Sequence, residues 1–225
     1  DLMSALPGQT IESYEDTLSK VLALEPEHIS AYSLILEEGT VFYDWYEKGK
    51  LDCGAWKLPS EEEEYAMGEL TIQRLAEAGM HRYEISNYAK PGKECRHNLG
   101  YWDRTEYLGI GAGSSSLIKG ERFDHIRDRK AYIEKIRNGE SILIDREILS
   151  VESQMEEFMY LGLRKVEGVS RTDFQNCFGK NANDVYGKIL DKLEEEQLLE
   201  FSGDRIRLTH RGMDVSNCVL AEFLF

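Results

Sequence analysis

Closely spaced cysteines are the first thing this sequence lacks. Its four, Cys53, Cys95, Cys177 and Cys218, lie about forty residues or more apart, so no zinc or iron–sulfur ligand spacing is present. Scattered thiols also argue against a disulfide framework and fit a reducing, cytoplasmic setting. Long apolar runs are missing too, since none approaches the ~18–20 residues that span a bilayer. The opening residues, Asp1-Leu2-Met3-Ser4-Ala5-Leu6, carry neither an initiator Met nor a basic n-region, which argues against a signal peptide. The expectation is a chain cut from something longer. Positive charge is short: 27 Lys+Arg against 42 Asp+Glu give a formal net charge of -15. Phosphate partners need neutralising cations, so the whole-molecule field disfavours nucleic acid and anionic membrane while leaving room for a local basic patch. There is no GxSxG elbow and no GKS or GKT ending of a Walker loop, which removes the commonest hydrolase and nucleotide signatures.

What is present reads as globular. Forty-one per cent hydrophobic and 31% charged residues in 225 suit one large or two modest domains. Residues 1–6 form an apolar strand, followed by the turn Pro7-Gly8-Gln9-Thr10, with Thr10 or Ser13 as a helix cap. Tyr14, Leu18, Val21 and Leu22 then fall on one helical stripe, which Pro26 ends. The run Ile29 to Leu36 suits a strand buried on both faces. Strand, helix and strand in so short a span make a βαβ unit, which builds parallel sheets. Ser60-Glu61-Glu62-Glu63 reads as a capping box for a helix reaching about Ala78, with Gly79 closing it. Arg82 to Ser86 is the next strand expected. A sheet entered directly on residue 1 implies an incomplete parallel α/β barrel over residues 1–145.

The pattern changes near 145. Helices are expected over 150–166, from Ser170 to about Gly179, and over 183–197, where Val185, Ile189, Leu190 and Leu193 share a face. Leu198 to Phe201, the turn Ser202-Gly203-Asp204, and Arg205 to Leu208 read as a hairpin, and Thr209 caps a last helix. Helices followed by a two-stranded wing suggest a winged-helix-like domain over 146–225. Its ten Lys+Arg against fifteen Asp+Glu oppose DNA binding. A non-catalytic winged-helix regulator fused to an α/β sensing domain is the rival from another class.

Chemistry concentrates in one stretch. Tyr83-Glu84-Ile85-Ser86-Asn87-Tyr88-Ala89-Lys90 precedes Cys95-Arg96-His97-Asn98-Leu99-Gly100-Tyr101-Trp102, and Gly109-Ile110-Gly111-Ala112-Gly113-Ser114 follows. Cys95 and His97 are both candidate haem-iron ligands, Arg96 suits a carboxylate, and Tyr101 and Trp102 supply an aromatic wall. The same residues also suit a plainer arrangement, with His97 and Asn98 tying down a loop and Tyr101 and Trp102 filling core. Gly109, Gly111 and Gly113 allow close backbone approach to an anion, or a tight turn against the sheet.

This order of motifs resembles the oxygen-independent coproporphyrinogen III oxidase-like proteins, a radical S-adenosylmethionine (SAM) family. The HNxxYW string from His97 to Trp102 is similar to its haem-chaperone branch. Asp1-Leu2-Met3, Leu6-Pro7-Gly8-Gln9-Thr10 and Glu37-Glu38-Gly39-Thr40 resemble further segments of the family. The resemblance implies a parent protein with a [4Fe–4S] cluster and SAM, held through a CxxxCxxC motif that this chain does not contain. The chain alone is therefore expected to be inactive as a radical enzyme. On the SAM side the implied residues are Asp1, Met3, Ile35, Gly109, Gly111 and Gly113. On the haem side they are Cys95, Arg96, His97, Asn98, Tyr101 and Trp102. Haem or a porphyrinogen is the implied ligand and a haem-acceptor protein the implied partner. True coproporphyrinogen III dehydrogenation is the alternative within the family.

Overall fold

The computed structural model describes residues 1–224, and the chain divides into two compact units, one over Asp1–Cys95 and one from Arg96 onward. In the first unit, β1 (Leu2–Ser4) leads into α1 (Ile11–Leu22) and returns as β2 (His28–Ser33), which pairs with β1 in parallel. This is the anticipated βαβ unit. Thr10, not Ser13, is the cap: its hydroxyl accepts from the Ser13 backbone N–H, while Ser13 Oγ accepts from Thr10 N–H. The helix stops at Leu22, four residues before Pro26, because the chain turns through Glu25 at φ 51°.

β2 is shorter and less buried than the apolar run implied. It ends at Ser33, only Ile29 along it is buried, and Ile35 beyond it is 71% exposed. The chain leaves the sheet there, and Thr40 closes the Glu37–Thr40 turn by donating its N–H and hydroxyl to Glu37 O. Thr40 then caps α2 (Val41–Glu47). After a 3-10 turn over Gly54–Trp56 comes α3 (Glu61–Glu77), entered through the Ser60/Glu63 capping box. Four acidic residues in its first turn complement the positive end of the helix dipole.

The segment expected to extend a parallel sheet does something else. β3 (His81–Glu84) and β4 (Asn87–Ala89) form an antiparallel hairpin, and β4 also runs antiparallel to β2, so the sheet order is β1-β2-β4-β3. Only two residues separate the strands, too few for the crossover that a parallel pair requires. The α/β class stands, with the parallel pairing among the described residues confined to β1 and β2. Leu2, Tyr14, Leu18, Ile29, Met67, Leu75, Met80 and Tyr88 make the core. Burying each aliphatic side chain contributes roughly 1.5–3 kcal/mol. Tyr14 and Thr71 satisfy each other's hydroxyls across it at 2.8 Å.

The second unit starts with α4 (Arg96–Trp102). A three-stranded antiparallel sheet follows: β5 (Ser115–Ile118), β6 (Glu121–His125), then α5 (Arg129–Asn138) and β7 (Leu143–Ile148), in order β5-β6-β7. The helical part comprises α6 (Val151–Gly162), β8 (Val169–Ser170), α7 (Arg171–Phe178) and α8 (Ala182–Glu195). Then come the hairpin β9 (Leu199–Ser202) and β10 (Arg205–Leu208), α9 (His210–Asp214) and α10 (Ser216–Ala221). The second sheet, β8-β10-β9, contains the two-stranded wing anticipated from the Ser202-Gly203-Asp204 turn, and β8 adds a third strand to it. Ser150, Ser170 and Thr209 cap α6, α7 and α9, and α6 stops at Gly162, short of Val166. Phe158, Phe174, Phe178, Tyr186 and Phe223 interlock edge-to-face beneath it. Among the described residues, no helix is long and apolar enough to cross a membrane.

Candidate functional site

The motif Tyr83–Asn87 proves to be the turn of the β3–β4 hairpin, and its polarity explains its composition. Glu84 is fully buried, and its Oε1 accepts from Ser86 N–H at 2.7 Å and Asn87 Nδ2 at 2.5 Å. Arg82 closes the turn from the other side by donating Nε and Nη2 to Ile85 O. Asn87 Oδ1 accepts from Ser30 Oγ, which fastens the hairpin to β2. A buried carboxylate is tolerated only when it is hydrogen-bonded in this way.

That hairpin fixes Tyr83, whose Oη is hydrogen-bonded to His28 Nε2 at 2.9 Å and accepts from Cys95 N–H at 3.2 Å. Burial holds the His28 imidazole below its usual pKa, with Glu84 opposing. Cys95 is thus held at its backbone, at the end of the first unit. Neither His28 nor the role of Tyr83 was singled out in the sequence, because both depend on the pairing of distant strands.

The remaining haem-side candidates open the second unit on α4. Helical spacing puts His97 and Tyr101 on one face, their rings edge-on at 4.7 Å, and Tyr101 meets Tyr107 edge-on at 4.8 Å. With Arg96, Gly100, Thr105 and Glu106 they line a cleft of about 160 Å³. Tyr107 is anchored by its backbone to Leu117 on β5. Burial raises its phenol pKa, with the nearby Arg122 opposing. Trp102 departs from this group. Its ring lies under the Arg164 guanidinium at 4.3 Å and borders a second cavity of about 220 Å³ with Asp103, Phe158 and Lys165. Asn98 lines neither cavity among those described.

The glycine run is a sheet-packing turn in its hydrogen bonding. A Cβ on Gly109 would lie 2.2 Å from Ser115 O, so only glycine fits. Gly109 N–H donates to Ser116 Oγ and Gly113 N–H to Ile126 O. Ser114 Oγ donates to Gly111 O, and His125 Nδ1 lies within hydrogen-bond distance of both. Gly111, at φ 102° with open space around it, is the member of the run with room beside it. On the first unit, Asp1 precedes β1 and Ile35 follows β2, at opposite ends of the parallel pair, with Met3 38% exposed between them.

A tetrapyrrole needs an iron ligand, a cation for its carboxylates and a flat apolar wall. The cleft offers an exposed imidazole at His97, the exposed guanidinium of Arg96, and the tyrosine edges. Its volume is below the ~300–1,000 Å³ of an enclosing ligand pocket, so it suits the edge of a macrocycle and not the whole. An iron–sulfur cluster does not fit the cysteines present, which are separate along the chain, and three of which are exposed.

The HemN C-terminal domain family matches residues 149–215. The chain is 40% identical over 224 residues to the heme chaperone HemW of Bacillus subtilis, covering all of this chain and 58% of that protein. The chain belongs to the HemN/HemW family. It is 39% identical to the HemW of Lactococcus lactis and 30% identical to that of Escherichia coli, again along its whole length. The solved structure of the Escherichia coli coproporphyrinogen III oxidase HemN, described as a radical SAM enzyme, superposes with TM-score 0.80 at 19% identity. It covers 99% of this chain and 54% of its own length, which establishes the HemN-like α/β fold with its C-terminal domain. The chain spans somewhat over half the length of the curated relatives it matches.

Proposed function

We propose that this chain is the haem-handling portion of a haem chaperone, which holds haem reversibly and passes it to an acceptor protein. Supporting this are alignments along the whole of this chain to relatives named heme chaperone and the exposed His97 beside Arg96 in the Tyr101/Tyr107 cleft. The observation that carries it is the His97–Tyr101–Tyr107 ring series, which presents an imidazole at the rim of an aromatic cleft. In this reading His97 or Cys95 supplies the axial ligand, Arg96 pairs with a propionate and Tyr101 gives apolar surface, while Trp102 and Asn98 lie outside the cleft.

The whole protein would also hold SAM and a [4Fe–4S] cluster, whose ligands are not the cysteines of this chain. Asp1, Met3, Ile35 and the Gly109–Gly113 turn are its proposed SAM-side residues. The barrel-derived part would run over 1–145 and the C-terminal domain from 146, consistent with a family match that begins at 149. Scattered, unbridged thiols favour the cytoplasm. Coproporphyrinogen dehydrogenation gains nothing from the HemN structure, because 19% identity speaks for the fold alone. DNA regulation is opposed by the acidic wing domain.

The test is haem titration of the wild type, Cys95→Ala and His97→Ala, followed by absorbance. Loss of a defined Soret shift in one variant names the iron ligand, and His97→Ala is the variant expected to lose it. Equal spectra from all three proteins would overturn the assignment.

A further inference from the structure

The acidic balance of the chain is locally reversed around α5. Between Asp128 and Gly139, α5 runs Arg129-Lys130-Ala131-Tyr132-Ile133-Glu134-Lys135-Ile136-Arg137-Asn138, and none of these residues is buried. Arg129, Lys130 and Arg137 are exposed, as is Arg127 just before the helix. Among the described residues these four form no ion pair, whereas Lys135 pairs with Glu140. Lys20, Lys48, Arg74, Lys93, Arg146 and Arg207 each have a carboxylate within reach. Arg127, Arg129, Lys130 and Arg137 make this stretch locally basic in a chain with 42 acidic residues to 27 basic ones.

Two isoleucines accompany them. Ile133 is 49% and Ile136 53% exposed, three residues apart on one face. Lys130, Ile133, Glu134, Arg137 and Asn138 border a shallow open hollow of about 480 Å³. The helix rests on its sheet through Tyr132, whose ring faces His125. Its exposed surface carries the two isoleucines with Arg129, Lys130 and Arg137 about them and a single acid, Glu134, beside them, the arrangement of an interface with an anchor and a charged rim.

We propose that the outer face of α5 docks an acidic amphipathic segment of a partner protein. Two apolar side chains of that segment would sit against Ile133 and Ile136, and its carboxylates would meet Arg129, Lys130 and Arg137. Charge complementarity selects this occupant. An anionic bilayer would bring the whole -15 molecule against a like-charged plane, and a second copy would bring two such charges together. A narrow acidic helix meets only the local field, which at physiological salt decays over ~8 Å. The mode is that of a helix laid along apolar anchors, and it does not depend on the haem reading.

The experiment uses the full chain and a fluorescent synthetic peptide with Leu at helical spacing and Glu between the leucines. Anisotropy should report binding that weakens as salt rises. R129E/K130E/R137E and, separately, I133S/I136S should each weaken it at least tenfold with unchanged circular dichroism. A scrambled peptide of the same composition, and polyglutamate, should bind at least tenfold more weakly than the patterned one. Absence of binding, equal affinity of variants or scrambled peptide, or tighter binding to phosphatidylglycerol vesicles would each overturn the proposal. Self-association in sedimentation velocity that the charge reversal abolishes would overturn it as well, in favour of a second copy.

Discussion

The second unit contains two three-stranded antiparallel sheets that are held in different ways. In the wing, Val169, Leu199, Ile206 and Leu208 are buried, and the aromatic cluster of α6, α7 and α8 packs in the same region. Gly168, at φ 67°, lies so close to β10 that an added Cβ would stand 2.0 Å from Ile206 O. In the β5–β6–β7 sheet the buried residues are Ser116, Leu117 and His125, and β7 is almost wholly exposed, with Ile148 at 83%. Its connections are polar instead. Ser116 accepts from Gly109 N–H, His125 meets Ser114, and buried Glu157 binds both Arg104 and Arg122. One sheet is stabilised by apolar area, and the other is positioned by hydrogen bonds and charge. The polar sheet is the one that carries Tyr107 and α5, which the cleft and the docking proposal use.

The largest effect that would sharpen this contrast is a truncation of the wing's support. Phe174 is fully buried and meets Phe158, Phe178 and Tyr186. Phe174→Ala should cost about 3–5 kcal/mol in urea unfolding. Ile148→Ala on exposed β7 should change stability by no more than about 0.5 kcal/mol. Similar losses from the two would end the comparison.

The polar sheet should respond to a different change. Glu157 is 5% exposed at its side chain and receives Arg104 Nε at 3.1 Å and Arg122 Nη2 at 2.8 Å. Removing its charge leaves two guanidinium groups, both partly screened from water, without the carboxylate that neutralises them. Glu157→Gln should therefore cost about 2 kcal/mol. Amide exchange should rise first in β6 and the segment around Arg104, and later in the wing. Uniform loss of protection across both sheets would show that the two are one cooperative element.

The difference in construction also explains what could be read from the sequence. The wing domain was legible because its signals are local: Ser150, Ser170 and Thr209 stand directly before their helices, and Gly203 sits in the hairpin turn. Even so, the buried face of α8 centres on Tyr186, Leu190 and Leu193, with Val185 and Ile189 only half-buried. The β5–β6–β7 sheet was not anticipated. Its strands SSLI, ERFDH and LIDREI have no clean alternation, and polar pairing between residues far apart leaves no periodic trace. In the first unit, Ile29 to Leu36 looked like a continuous strand, but the Glu37–Thr40 turn draws its end out of the sheet. The cleft residues Arg96, His97 and Tyr101 stood in one motif, and helical spacing brings His97 and Tyr101 together. The separation of Trp102 from them follows from helical geometry that becomes visible once 96–102 is known to be a helix. Tyr107 escaped because a strand pairing, and not sequence proximity, brings it to Tyr101.

The smallest expected effect is one of pH, and it lies in the wing. Asp204 accepts from Ser170 Oγ at 2.5 Å, from Thr172 Oγ1 at 2.8 Å and from Thr172 N–H at 3.2 Å. These bonds, led by that from Ser170, hold its carboxyl below the usual range, with Arg171 adding to them. A carboxylate whose folded pKa is lowered stabilises the fold above its unfolded pKa, near ~3.9, and loses that contribution as pH falls through the folded value. Asp204→Asn should thus unfold at lower urea than the wild type at pH 7, and the gap should narrow as pH drops below about 4. At pH 7 the substitution should leave amide protection in the β5–β6–β7 sheet unchanged. A gap that stays constant from pH 7 to strongly acid solution would mean that Asp204 acts through hydrogen bonding alone, and that charge has no part in holding the wing.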